Sequence, residues 1–201
     1  ALMAVHPNLN AASTKLIERT IPASGESIPV IGVGTNRYGV GNDKAAKATL
    51  KQALGKFHEL GGTVIDTAPS YGSSEIVLSE LISDLGIQKD LFLASKVDSR
   101  NLTQNTQRFN ASLERFNTKK FDLMQVHNFK DWENSLALLK ERKAAGEIRY
   151  LGMTTHMPSQ YELMEKALRE HALDFIQVNL SLANQRSSSQ RLIPLAVDQG
   201  A

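Results

Sequence analysis

The chain has 201 residues, 41% of them hydrophobic and 22% charged, with a formal net charge of +2 and no cysteine. That length and composition can bury one sizeable core, and charge scattered this evenly makes no electrostatic case for nucleic acid. Without cysteine there is no disulfide, no thiolate catalysis and no zinc–thiolate centre, and no apolar run is long enough to span a bilayer, so a soluble protein is expected.

Residues 1–15 read as an N-terminal tail and 16–201 as one domain. Residues 1–13 lack the basic and apolar regions of a signal peptide. The opening Ala1, in place of an initiator Met, fits removal of something upstream, so location stays open between cytoplasm and a bacterial periplasm. Residues 16–20 and 28–33 flank Ala23-Ser24-Gly25-Glu26 and predict a hairpin running into a first core strand. Residues 43–60 predict a helix with Ala46, Leu50, Ala53, Leu54 and Phe57 on one face, stopped by Gly61-Gly62. A strand over 63–66 follows. The helix over 74–85 places Leu78, Leu81, Ile82 and Leu85 at helical spacing before Gly86.

The alternation continues with a strand over 91–96 and a helix over 103–116, with Thr103 as N-cap. A strand over 121–126 and a helix over 132–145 come next, then a strand over 148–152 and a helix over 158–171 with Pro158 in its first turn. A sixth core strand is predicted over 174–179, a polar loop at Ser187-Ser188-Ser189, and a last helix from 190 to 198. Doubly apolar strands between amphipathic helices indicate a parallel sheet with helices outside. A doubly wound sheet would carry G-x-G-x-x-G after its first strand; only the glycine pairs Gly32-Val33-Gly34-Thr35 and Gly39-Val40-Gly41 are present.

Chemistry-bearing residues at successive strand ends favour a β/α barrel, whose strand C-termini converge on one rim. They are Asp66 and Tyr71 in Asp-Thr-Ala-Pro-Ser-Tyr-Gly, Lys96 in Ala-Ser-Lys-Val, and His127 in Gln-Val-His-Asn. A phenol gives up its proton near pH ~10 in water, and a neighbouring ammonium makes that proton easier to give. Lys96 can supply the ammonium and Asp66 can hold it. His127 can donate to a carbonyl oxygen or relay a proton. Such a site stabilises and protonates negative charge developing on a carbonyl oxygen. None of these side chains can carry a hydride, so the reductant must be a cofactor.

These blocks resemble the aldo-keto reductases, bacterial branch, over residues 16–201. Ile31-Gly32-Val33-Gly34-Thr35 is similar to that family's first strand, Asp66-Thr67-Ala68 with Tyr71-Gly72 and Ser74-Glu75 to its catalytic loop, and Lys96 and Val126-His127 to its Lys and His positions. The resemblance implies an α/β fold of the (β/α)8 TIM-barrel type behind an N-terminal β-hairpin. It implies NADPH-dependent reduction of an aldehyde or ketone, with Tyr71 as general acid, Lys96 as its electrostatic tuner, Asp66 as partner of Lys96 and His127 as carbonyl-orienting group. Cofactor contacts are expected from Gly34, Thr35, Asp66, Thr154, Thr155 and Gln177. Gly152-Met153-Thr154-Thr155-His156 stands where the family usually has Gly-x-Ser-Asn, so the two threonines alternatively only cap a strand end.

Tyr38, Phe129 and Trp132 could line an apolar substrate pocket, or Trp132 could pack as the first residue of an outer helix. Only six core strands are read where a barrel has eight, so a C-terminally incomplete barrel is expected; the loops that choose between NADP and NAD would follow the missing strands. A non-catalytic nicotinamide-binding regulator or scaffold on the same barrel is the alternative. A metal-dependent hydrolase built on Asp66 and His127 is disfavoured, with no H-x-H, no clustered acids and 5 His in all. No metal is expected, and the expected partner is a small carbonyl compound.

Overall fold

The computed structural model describes residues 16–182 and 188–201; the expected tail over 1–15, and Ser187 of the serine loop, lie outside the described residues. Strands β1 (Glu18–Thr20) and β2 (Ser27–Pro29) form the antiparallel hairpin, with Thr20 opposite Ser27. Then follow β3 (Gly32–Gly34), α1 (Lys44–Glu59), β4 (Val64–Asp66), α2 (Ser74–Leu85), β5 (Phe92–Val97) and α3 (Leu102–Arg115). The chain goes on through β6 (Phe121–His127), α4 (Trp132–Ala144), β7 (Ile148–Thr155), α5 (Tyr161–Glu170), β8 (Phe175–Val178) and α6 (Ile193–Asp198). Strands β3 to β8 pair in chain order and all in parallel, giving a curled, open six-stranded sheet with β3 and β8 at its edges.

Strand parity divides the side chains between two layers. Ile65, Leu93, Val97, Met124, Val126, Leu151 and Met153 point outward into the main core against the helices, meeting Leu54, Leu78, Phe109, Leu136 and Met164. Each such side chain contributes about 1.5–3 kcal/mol on burial. The opposite parity forms the concave face. Near its floor Phe92, Ala94, Leu123 and Tyr150 make a second apolar cluster with Ile21 of the hairpin, and Val64 and Phe175 pack on it. Phe92, Tyr150 and Phe175 lie 5.6–5.9 Å apart, ring centre to ring centre. The hairpin is tied beneath them, since the Tyr150 phenol donates to Glu26 Oε2 at 2.5 Å and sits 2.6 Å from Ser24 Oγ. The floor is apolar, and the polar residues of this face sit at the other end.

Several boundaries differ from the sequence expectation. The predicted strand over 28–33 is broken at Val30 and Ile31, both exposed, so hairpin and core strand are separate. Asn101, not Thr103, caps α3: its backbone is extended and its side chain accepts from Gln104 N at 3.1 Å. Ala53 of α1 is exposed, and Leu54 alone of that face is fully buried. Strand β7 continues past Gly152 to Thr155 because the ladder with β6 persists through His127 opposite Thr154. Pro158 opens a 3-10 turn ahead of α5. The last helix begins as a π-turn over Ser188–Leu192, just before Pro194, which lacks the N–H for a regular helical bond. Among the described residues no helix is long and apolar enough to cross a membrane.

Candidate active site

Register brings the expected residues to one rim. Gly34 pairs with Asp66, Lys96 with Gln125, and His127 with Thr154, which in turn pairs with Gln177. All of these share the concave parity. Asp66 ends β4, and the chain then turns through Tyr71, held by Tyr71 N to Ala68 O at 3.1 Å and Ser74 N to Tyr71 O at 3.1 Å. Gly72 takes a left-handed φ of +62° there, and a Cβ on Gly39 would come within 2.9 Å of Tyr71 O, so two glycines let this turn close against the loop after β3.

Lys96 is only 1% exposed. Its ammonium donates to Asp66 Oδ1 and, at 2.8 Å, to Thr67 O. Two of its three protons are thereby committed, and Nζ lies 5.0 Å from the centre of the Tyr71 ring. The other Asp66 oxygen accepts from Gln125 Nε2 at 3.1 Å. His127 stands edge-on to Tyr71 with ring centres 6.2 Å apart. Burial, with Lys96 and then Lys130 nearby, pushes the imidazole down to about 4, so His127 is neutral at pH 7. The four residues expected to act together therefore do meet. After His127 the backbone runs through left-handed φ at Asn128, Phe129 and Asp131, none of them glycine, a local strain of the kind that collects at functional rims.

The turn bearing Tyr71 is anchored from behind. Glu75, in the first turn of α2 and 2% exposed, accepts from Ser95 Oγ at 2.9 Å, Ser112 Oγ at 2.8 Å and Arg115 at 2.6 Å. Ser74 Oγ reaches Thr35 O at 2.8 Å, and Thr35 Oγ1 reaches Asp66 O at 3.0 Å. Thr35 thus has its hydroxyl engaged and is fully buried, while Gly34 opens on free space.

The expected cofactor residues separate into two groups. Gln177 is exposed, its carboxamide has no hydrogen-bond partner among the described residues, and it lies beside Thr154, whose hydroxyl is likewise unengaged. A free carboxamide at the rim matches the donor–acceptor pair of a nicotinamide amide. Thr155 is different: its hydroxyl donates to Gln160 at 2.6 Å and accepts from Met157 N at 3.0 Å, which fixes the turn before α5. The expected pocket aromatics also scatter. Trp132 opens α4 and packs between Phe129 and His171, with Lys166 5.4 Å above its ring, so it lies in the outer helical layer. Phe129 and Tyr38 are buried in the main core.

Sequence reading missed Gln125, which shares a strand face with His127 two residues on. The two-residue period of a strand was the available signal for it. A cavity of about 870 Å³ lies at the opposite end, between Ile28, Leu91, Asp122 and Arg149, and takes no part in this rim.

The chain is similar in sequence and fold to known proteins. The profile described as the Aldo/keto reductase family matches residues 30–201. Methylglyoxal reductase YeaE of Escherichia coli is 34% identical over 145 residues, 68% of this chain and 49% of that protein. Aldo-keto reductase yakc [NADP(+)] of Schizosaccharomyces pombe is 28% identical over 150 residues, 64% of this chain and 43% of that protein. The thermostable aldo-keto reductase Tm1743, solved with the inhibitor epalrestat, superposes with a TM-score of 0.77 at 26% identity, over 92% of this chain and 70% of that one. The chain spans about half the length of the curated relatives it matches. With the profile covering most of its length and the rim assembled as described, the chain belongs to the aldo/keto reductase family.

Proposed function

We propose that this chain serves NADPH-dependent reduction of an aldehyde or ketone to an alcohol, with Tyr71 as general acid. The observation that carries the reading is the buried Lys96 ammonium, held by Asp66 and Thr67 O and set 5.0 Å from the Tyr71 ring. A positive charge sealed beside the phenol stabilises negative charge that develops in the site during the reaction. Asp66 keeps that ammonium in place, and Gln125 keeps Asp66 in place. His127, neutral at the rim, orients the reacting oxygen or relays its proton.

NADPH, when bound, supplies the hydride. Gln177 and Thr154 would hold its nicotinamide amide, with Gly34 leaving room for close approach. Thr155 and Thr35 support from within, their hydroxyls being already used. The NADP(+) in the name of the yeast relative and the aldehyde substrate in the name of the bacterial one support both halves of the reaction.

The test is NADPH oxidation with a small aldehyde by this chain and by its Tyr71→Phe variant. Loss of at least about 100-fold in kcat is expected, the lower range for a positioned general acid, with NADPH binding retained. Equal turnover in the two proteins would remove Tyr71 from the role.

A further inference from the structure

We propose that the carbonyl compound reduced at this rim carries a carboxylate or phosphate group, and that Lys130 is the cation that recognises it. The proposal rests on the reductase reading above and narrows its substrate class to an anionic aldehyde or ketone.

Lys130 lies on the loop after β6, three residues past His127. That loop is held from several sides. Asn128 N donates to Thr154 O at 2.8 Å, and Asn128 O accepts from Gln160 Nε2 at 3.1 Å. His156 Nδ1 sits 3.0 Å from Asn128 Oδ1, and the Phe129 ring is buried in the main core. Ser135 Oγ donates to the carbonyl of Lys130 at 3.3 Å. The left-handed backbone at Asn128, Phe129 and Asp131 is the conformational cost of setting the chain this way. A lysine is thus presented from a fixed backbone close to His127.

The side chain has no counterion. Lys130 is half-buried, yet among the described residues no carboxylate lies within ion-pair distance of it. The nearby acids are engaged elsewhere. Asp66 is taken by Lys96 and Asp98 by Arg108. The adjacent Asp131 turns to α4, where its Oδ1 accepts from Asn134 at 2.8 Å. Arg100, on the loop after β5, and Arg37, on the loop after β3, are exposed and also without an ion pair among the described residues. A half-buried ammonium gives up part of its hydration, and an arriving oxyanion replaces it with a charge-assisted hydrogen bond. Lys130 also opposes protonation of His127, so its charge is felt at the reacting end of the rim. The anionic group itself is left unchanged: hydride passes from NADPH to the carbonyl carbon and a proton from Tyr71 to its oxygen. The phosphates of NADPH are the competing source of negative charge, and the test separates the two.

The experiment compares 3- and 4-carboxybenzaldehyde with their methyl esters, which keep ring and aldehyde but lose the charge. KM is the readout, because the ester also alters the reactivity of the carbonyl. At low salt, KM for at least one acid should lie about 5- to 10-fold below that of its ester, between the worth of an exposed and a buried ion pair. The gap should shrink as ionic strength rises. In Lys130→Met it should vanish, in Lys130→Glu invert and in Lys130→Arg persist, with KM for NADPH within about threefold throughout. Acids that bind no better than their esters, or a gap that survives Lys130→Met, would overturn the proposal and leave the reductase reading standing. So would a Lys130→Met defect confined to KM for NADPH, which would give the ammonium to the cofactor. Should the variants not fold, the wild-type gap and its salt dependence decide. Absence of turnover with every aldehyde would defeat the reductase reading. Saturation-transfer NMR with the same compounds then reads binding alone, and an acid signal no stronger than the ester's, or equally strong in Lys130→Met, would overturn the anion site.

Discussion

Replacing Lys96 by Met tests whether the two paired charges, Lys96 and Asp66, are held as a unit. The ammonium is 1% exposed, its Asp66 partner is 19% exposed at the side chain, and Thr67 O takes a second bond at 2.8 Å. Removing one member of a buried pair costs about 3–5 kcal/mol; water still reaches Asp66, so the lower part of that range applies, about 3 kcal/mol. Asp66→Asn strands the more deeply buried ammonium but keeps an amide oxygen to accept from it, which again gives about 3 kcal/mol. The double variant leaves no buried charge, and its expected loss is about 2 kcal/mol, well short of the sum. Urea unfolding followed by circular dichroism reads these values, at about 0.5 M of midpoint per kcal/mol if the slope is about 2 kcal/mol/M. Losses in the double variant that add to within about 0.5 kcal/mol would refute the coupling. Neither single variant should retain reductase turnover.

Two further outcomes are expected. His127 sits at about 4 in the folded chain against ~6.5 when unfolded, so the unfolded state binds the extra proton between those values. Its contribution to stability is complete above pH 6.5 and is lost as pH falls toward 4, by about 3 kcal/mol at most. Urea titrations should show this slope flattened in His127→Gln, and an unchanged slope would contradict the buried neutral imidazole. Gly152→Ala places a Cβ 3.0 Å from Phe175 O and 3.1 Å from Gln125 Cγ. Backbone cannot yield there, so about 1–3 kcal/mol of overpacking is expected, together with reduced kcat as Gln125 is pushed off Asp66. Wild-type stability would show that the strands separate more easily than the register implies.

Much of this was legible from residue order. Asp66, Tyr71, Lys96 and His127 each sit at or just past an apolar run, and a parallel sheet gathers such ends whatever lies between them. The roles decided by tertiary packing were not legible. Thr154 and Thr155 look alike in sequence, but strand parity turns one to the rim and the other to Gln160. Asn101 and Thr103 both carry a capping oxygen, and the extended backbone at Asn101 chose between them. Trp132 had two readings of equal merit until His171, 39 positions away in sequence, supplied the partner that put it in the outer layer.

Adjacent residues of β5 work on opposite sides of the sheet. Lys96 turns inward beneath Tyr71, while Ser95 turns outward to Glu75, four residues after Tyr71. The phenol and the ammonium are therefore spaced by a strut that never enters the cavity: α2 is pinned to the very strand that carries the lysine. A lesion behind the sheet, at Glu75, Ser112 or Arg115, would loosen that spacing and register in an assay as a damaged acid, though no reacting atom had been touched.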